Sequence, residues 1–286
     1  MPTTNVLARW SVGLGVIGSL ILASGVAENL PAIALTPEEV LEKLEPVPVF
    51  TIADEQGAPL VASGEDEAKV AGVFISQDDA NQFVNRLKTE NPELAEKVRV
   101  AHVSLGEVHK LSKSAQSQEN ALNFVYIPEE EAVTSAETLG EENQQPYQGG
   151  VPLFVARGGE DQGYLTFERN SKQVIPFFFD KAQLEEMIAK FKQQMPDIAG
   201  NIEIEVHPLE GVIETLETSS DEILDKVVLV PTEESTQSLQ SSSQSTSERQ
   251  QKLEELTNES NEQRRAVMDA ADAFSETMGV QNFLIP

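Results

Sequence analysis

The sequence predicts an α+β fold of two pseudo-symmetric repeats, each a small mixed β-sheet with one main packed helix, followed by a low-complexity C-terminal tail. The first observation is an internal duplication. Val47-Pro48-Val49-Phe50 and Val151-Pro152-Leu153-Phe154 lie 104 positions apart, from 47 to 151, and Phe74 falls on Phe178 at the same offset. The second observation is that strand-like and helix-like hydrophobic periods follow the same order in both halves.

Each half begins with three short runs rich in β-branched and aromatic residues, the first two joined by an acidic turn. The runs are 47–52, 60–62 and 72–75 in the first half, and 151–156, 164–167 and 175–179 in the second. Such runs around a polar turn are typical of a β-hairpin, so we expect a hairpin followed by a third strand in each repeat.

The third run leads into the main helix of each repeat. Ser76 with Asp79, and Asp180 with Gln183, have the spacing of an N-cap residue and its partner at the third helical position. An apolar stripe at i, i+3, i+4 and i+7 follows in both halves, made of Ala80, Phe83, Val84 and Leu87, and of Leu184, Met187, Ile188 and Phe191. One face of each helix must therefore be buried.

The rest of each repeat is predicted to be a half-buried strand, a short helix and a last strand. Residues 98–100 and 202–206 alternate with period two, and the short helices lie around Val108 and Val212. The last strands are the apolar runs that end at Pro128 and Pro231.

The predicted boundaries follow the changes in composition. Residues 35–133 form the first repeat, 134–150 a polar linker and 151–231 the second repeat. Residues 232–286 form a Ser/Gln-rich tail that cannot build a core, with a short charged helix within 248–278.

The amino terminus is predicted to be a cleaved secretory signal peptide over residues 1–34. Arg9 precedes the apolar run 12–23, and Ala32-Ile33-Ala34 provides small residues at the cleavage site. The run is shorter than the roughly 20 residues that a spanning helix needs, which makes an uncleaved anchor the weaker alternative. We therefore expect a periplasmic protein that begins at Leu35 and has no membrane span, with the thylakoid lumen as the alternative location.

Composition excludes several classes of function. The 286 residues carry a formal net charge of −28, which opposes binding to a phosphate backbone, so no nucleic-acid partner is expected. The chain has no Cys, which excludes disulfides, a thiolate nucleophile and cysteine-ligated metals.

The residues show no catalytic, cofactor-binding or metal-binding constellation. His102, His109 and His207 belong to no metal-ligand motif, and there is neither a nucleophile elbow nor a phosphate-binding loop. The chain is therefore predicted not to be an enzyme and to need no cofactor. An enzyme that uses His102 or His207 with surface acids, and a structural cell-envelope protein without clients, are the alternatives.

The duplicated motifs resemble one known family. Val47-Pro48-Val49-Phe50, the runs 72–76 and 150–155, and Pro176-Phe177-Phe178-Phe179-Asp180 are similar to the family of the twenty-two-kilodalton Tic translocon subunit. That family serves protein import in the chloroplast intermembrane space and has cyanobacterial periplasmic relatives, to which the bacterial-style signal peptide is the closer fit. The resemblance covers roughly residues 38–231 and excludes the tail.

The resemblance implies a non-enzymatic periplasmic transport factor with a chaperone-like role. Its expected partners are unfolded precursor or outer-membrane proteins and the outer-membrane β-barrel assembly machinery.

A client-binding strip is predicted from the third strand of the second repeat. Phe178, like Phe74, should pack under the main helix, which leaves Phe177 and Phe179 on the opposite face. These two rings, with Tyr164 and Phe167 of the neighbouring strand, are the residues expected to bind extended apolar segments. The alternative is a sheet covered on both faces, in which the rings belong to the core.

Overall fold

The structure is a computed structural model that describes residues 34–63, 69–115, 122–159, 163–194 and 202–240. It also places the backbone of Gly15–Val16 as a two-residue strand, β1. The rest of the predicted signal peptide up to residue 33, and the tail beyond residue 240 with its predicted helix within 248–278, lie outside the described residues. Residues up to Thr236 form one compact unit, and a second unit begins at Gln237.

Sheet 1 is made of five strands from the first half: β2 (Pro48–Asp54), β3 (Val61–Ser63), β4 (Lys69–Phe74), β5 (Val98–Ser104) and β6 (Leu122–Ile127). Strand β2 pairs antiparallel with β5 and with β4. Strand β4 pairs antiparallel with β3 and in parallel with β6. The predicted hairpin between the first two runs is limited to an isolated bridge between Ala53 and Pro59. Parallel and antiparallel pairs coexist, so the sheet is mixed.

Sheet 2 contains β7 (Pro152–Gly158), β8 (Gly163–Arg169), β9 (Lys172–Phe178), β10 (Glu203–Pro208) and β11 (Val227–Val230), and β1 pairs with β8. Strand β7 pairs antiparallel with β10, β8 and β9, and β9 pairs in parallel with β11. Phe154 lies opposite Phe178 just as Phe50 lies opposite Phe74. The predicted α+β class is confirmed, while a rotation that superimposes the two repeats stays a prediction.

The helices are α1 (Pro37–Leu44), α2 (Gln77–Glu90), α3 (Pro92–Ala95), α4 (Leu105–Ala115), α5 (Glu130–Glu142), α6 (Lys181–Gln194) and α7 (Leu209–Thr218), with a 3-10 helix at Glu222–Lys226 and a helical segment at 233–240. Ser76 Oγ accepts from the Asp79 amide at 3.2 Å, as predicted for an N-cap. Asp180 Oδ1 instead accepts from the Ala182 amide at 2.7 Å. Gln183 Oε1 is buried without a hydrogen-bond partner, so the predicted Asp180–Gln183 pair does not form.

Three clusters of buried side chains use both faces of both sheets. Helix α2 covers the outer face of sheet 1, where Phe50, Ile52 and Phe74 contact Ala80 and Val84. Helices α5 and α6 cover the outer face of sheet 2. The inner faces of the two sheets contribute to one central cluster together with α1, α4 and α7. The two halves therefore share a core.

The predicted linker 134–150 is wrong over most of its length, because α5 occupies residues through Glu142. Ala132, Ala136 and Leu139 are buried at helical spacing and pack with side chains of β7 and α6. This stripe gives only a weak helical pattern in the sequence, because it is narrow, most of its residues are small, and glutamates surround it. Helix α5 comes from the first half of the chain but covers the second sheet.

The predicted tail boundary at 232 is also wrong. Thr232 and Ser235 are buried, and Thr232 Oγ1 accepts from the Ser235 amide at 3.2 Å, in the manner of an N-cap. Ordered structure thus continues into the helical segment 233–240. Among the described helices, none combines the length and the apolar character needed to cross a membrane.

Candidate functional site

The predicted open aromatic strip does not exist in the folded protein. Phe177 and Phe179 are only 6% and 2% exposed, because they point into the central cluster between the two sheets. Phe167 is buried on the outer face, where its ring lies 6.1 Å from that of Phe191 in α6. The alternative of a sheet covered on both faces is therefore correct for these three rings. Tyr164 alone is partly exposed.

Phe177 nevertheless forms part of the wall of a cavity, which we call the sheet-2 cleft. The ring centroid of Phe177 lies 6.1 Å from that of Tyr164 and 5.9 Å from that of His207. The cleft has a volume of about 320 Å³ and opens between the inner face of sheet 2, helix α7 and the 3-10 helix. It is lined by Tyr164, Ile175, Phe177, His207, Val212, Thr215, Ser219, Asp221, Ile223, Leu224 and Val227. An apolar wall with a few polar groups is the usual make-up of a ligand pocket.

Two charged side chains outside the lining, Arg157 and Glu205, contact Tyr164 and His207 and form a rim beside this cleft. Arg157 Nη1 donates to Glu205 Oε1 at 2.8 Å, and His207 Nε2 lies 3.3 Å from Glu205 Oε2. The Arg157 guanidinium also lies over the Tyr164 ring, 5.3 Å from its centroid, in a cation–π contact. Burial raises the pKa of Tyr164, and the negative charge of Glu205 adds to that effect.

This polar and aromatic rim is present in the second repeat only. The positions 104 residues earlier hold apolar side chains throughout: Ala53, Leu60, Val73, Ala101 and Val103 stand where Arg157, Tyr164, Phe177, Glu205 and His207 lie. The difference between the two repeats at these positions is therefore the sequence feature that indicates the cleft. The aromatic run by itself gives no indication of Arg157, Glu205 or Thr215.

A second cavity of about 540 Å³, the α1–α4 groove, is formed by α1, α4 and the end of α7. It is lined by Leu35, Pro37, Val40, Leu41, His109, Lys110, Lys113, Ser114 and Glu217. At its base the buried His109 Nε2 lies 3.0 Å from Glu217 Oε1, and Lys113 Nζ lies 2.9 Å from the same carboxylate. These contacts link α4 of the first repeat to α7 of the second.

A third site is a cluster of carboxylates at the start of α2 and α5. Glu234 Oε1 accepts from the backbone amide of Asp78 at 3.1 Å, so a side chain of the second repeat caps a helix of the first. Burial, together with the negative charges of Glu234, Asp79 and Asp180, raises the pKa of Glu129 to about 6. Burial likewise raises the pKa of Glu234 and of Asp79.

Replacing Glu129 by glutamine is expected to stabilise the protein above pH 6. The pKa of Glu129 is raised on folding, so its ionisation opposes folding at high pH, and this cost fades as the pH falls from about 6 towards 4.5. Because the carboxyl is only partly buried, solvent screening leaves an expected gain of about 1 kcal/mol at pH 8. Urea denaturation at pH 8 and pH 4.5 measures it. Glu141→Gln, at an exposed position in the last turn of α5, is the control, and a gain independent of pH would contradict the assignment.

The three histidines lie in different surroundings. His102 is exposed on β5, His109 is buried against Glu217, and His207 lies beside Phe177 and Glu205. In the part of the chain that the structure describes, no three His, Cys, Asp or Glu side chains are arranged to hold a metal ion. The structure thus offers the two cavities as the candidate binding sites.

Comparison with known proteins connects this fold to one family. Residues 15–241 match the sequence model of the Tic22-like family. The matched range extends past the predicted end of the second repeat and includes the helical segment 233–240. The chain is similar to Protein TIC 22, chloroplastic, of Pisum sativum, with 24% identity over 203 residues, 71% of this chain and 75% of that protein. It is also similar to Protein TIC 22-like, chloroplastic, of Arabidopsis thaliana, with 23% identity over 206 residues, 69% of this chain but only 61% of that protein.

Two solved structures share the fold. Anabaena Tic22, a protein described as acting in protein transport, matches with a TM-score of 0.64 and 26% identity, over 72% of this chain and 97% of that one. Tic22 from Plasmodium falciparum matches with a TM-score of 0.58 over 70% of this chain and 95% of that one, and at 21% identity it shows the fold alone. Since the family model covers more than half of the sequence, the chain belongs to the Tic22-like family.

Proposed function

We propose that this protein is a non-enzymatic transport factor of the periplasm whose sheet-2 cleft binds apolar side chains of unfolded precursor proteins. The family supports the transport role, because the Anabaena relative is described as a protein-transport protein. The signal-peptide pattern of residues 1–34 supports export. A chaperone-like role beside the outer-membrane β-barrel assembly machinery, with unfolded outer-membrane proteins as clients, is part of the same proposal.

The cleft is the observation that carries the proposal. Its wall of Tyr164, Phe177 and Ile223 suits an aromatic or aliphatic side chain, and its volume is at the lower end of the range of ligand pockets, ~300–1,000 Å³. Arg157 and Glu205 beside it offer a donor and an acceptor to the backbone of an extended segment. The site therefore selects for apolar side chains on an unfolded chain, without a sequence motif.

Blocking the mouth of the cleft is expected to weaken client capture about tenfold, which corresponds to ~1.4 kcal/mol. Thr215 lines the cleft and is exposed on α7, so Thr215→Arg fills its mouth without removing a core side chain. The effect is measured as the capture of a urea-unfolded porin, with suppression of the porin's aggregation as the readout.

Thr218→Arg is a closely matched control. Both threonines are exposed on α7 and donate to the carbonyl four residues earlier at 2.7 Å, but only Thr215 lines the cleft. Loss of capture in Thr215→Arg alone, with unchanged melting temperatures, supports the cleft as the client site. Equal capture by both variants would show that clients bind at another place on the protein. Absence of capture by the wild type would favour the alternative that the protein is a structural cell-envelope protein without clients.

A further inference from the structure

The α1–α4 groove has two chemically different walls. Helix α1 and the residues before it contribute Leu35, Pro37 and Leu41, while α4 contributes Lys110 and Lys113. Its volume of about 540 Å³ is within the range of small-ligand sites. One wall is thus suited to an alkyl chain and the other to an anion.

The charge of the second wall is unusual for this protein. The chain carries a formal net charge of −28, yet two lysines meet in this groove. At the positions 104 residues later, α7 has Glu214 and Glu217, so the same helix face is acidic in the second repeat. The cationic wall is therefore a property of this groove and not of the repeated unit.

The two lysines have different roles in the folded protein. Lys113 lies 2.9 Å from the carboxylate of Glu217 and is largely neutralised by it. Lys110 is exposed and forms no ion pair with any residue in the described ranges. The lining thus keeps one uncompensated positive charge next to an apolar surface, which is complementary to a carboxylate on an apolar chain.

The walls favour a ligand without a peptide backbone. Apart from Leu35, the residues of both walls lie within α1 and α4, and the lining includes no strand residue that could pair with an extended peptide. The polar side chains of the lining are those of His109, Lys110, Lys113, Ser114 and Glu217. A single-chain amphiphile with an anionic head places that head next to the lysines and its tail on the apolar wall.

We propose that the α1–α4 groove binds a long-chain fatty acid. Its carboxylate contacts Lys110, with Lys113 and Ser114 beside it, and its alkyl chain lies along Leu35, Pro37 and Leu41. This site is separate from the sheet-2 cleft, and the inference does not depend on the client-binding function.

Binding is measured on the full chain with cis-parinaric acid, whose fluorescence rises in an apolar site, and with its methyl ester, which has the same chain but no charge. Lys110→Glu is expected to weaken binding of the acid about tenfold, because attraction becomes repulsion, and to leave the ester unchanged. Leu41→Gln is expected to weaken binding of both the acid and the ester. Oleate is expected to displace the probe from the wild type.

Lys88→Glu on α2 makes the same change of net charge away from the groove and is the control. Circular dichroism of every variant identifies any that fails to fold, and Leu41→Gln and Lys110→Glu test the two walls independently. If the wild type does not bind the acid, or if Lys110→Glu and Lys88→Glu bind it equally, the proposal is wrong. Displacement by an acidic, apolar hexapeptide but not by oleate would also overturn it and assign the groove to a polypeptide.

Discussion

Replacing Phe50 or Phe154 by alanine is expected to lower the free energy of unfolding by about 3 to 5 kcal/mol in each case. The two phenylalanines occupy equivalent positions of β2 and β7 and are 1% and 0% exposed. Each lies opposite a second phenylalanine, Phe74 or Phe178, and faces the main helix of its repeat. Truncation removes a whole ring and leaves a cavity, and a loss of this size is a large part of the 5–15 kcal/mol that stabilises a typical domain.

Urea denaturation of the two variants measures the effect. Val125→Ala is the control, because Val125 is 49% exposed on β6 and its truncation should cost less than about 1 kcal/mol. A small effect of Phe154→Ala beside a large effect of Phe50→Ala would contradict equivalent packing of the two outer faces.

The two halves of the chain are expected not to fold when they are produced separately. In a fragment of residues 35–150, the inner face of sheet 1 loses the part of the central cluster that the second half contributes, including Leu153, Val155 and Phe177. A fragment of residues 151–240 loses the same contacts and also α5, which covers its outer face. Exposure of this apolar surface removes more free energy than the net stability of a domain provides.

Amide proton dispersion in NMR spectra and thermal melting by circular dichroism measure this result, with residues 35–240 as the control. Mixing the two fragments should restore a cooperative melting transition, since the lost contacts are between them. A fragment that melts cooperatively by itself would show that its repeat is an independent domain and would contradict the shared core.

Most secondary structure could be predicted because it depends on neighbours in sequence. The stripe that begins at Ala80 and the cap at Ser76 involve residues within one or two helical turns, and both are present in α2. The predictions failed where that local signal was weak. Most of the buried residues of helix α5, such as Ala132 and Ala136, are small and lie among glutamates, so the composition of this stretch predicts a linker instead of a helix.

The candidate site was less predictable. Phe177 and Tyr164 do line a cleft, but the expectation of an exposed strip that included Phe179 was wrong. Strand periodicity places Phe177 and Phe179 on one face without showing what covers that face. Arg157 and Glu205 are 48 positions apart, so only their antiparallel pairing in β7 and β10 makes them a salt bridge.

The amino-acid sequence by itself determined the α+β class, the order of the predicted strands and main helices, and the absence of cysteine chemistry. These features follow from spacing, periodicity and composition, which are local or additive properties of the chain. Only the tertiary structure decided that α5 crosses to sheet 2, that both inner faces share one core, and that α4 and α7 meet at His109 and Glu217. Those contacts join residues that are distant in sequence, and which of them form depends on how all apolar faces are buried together.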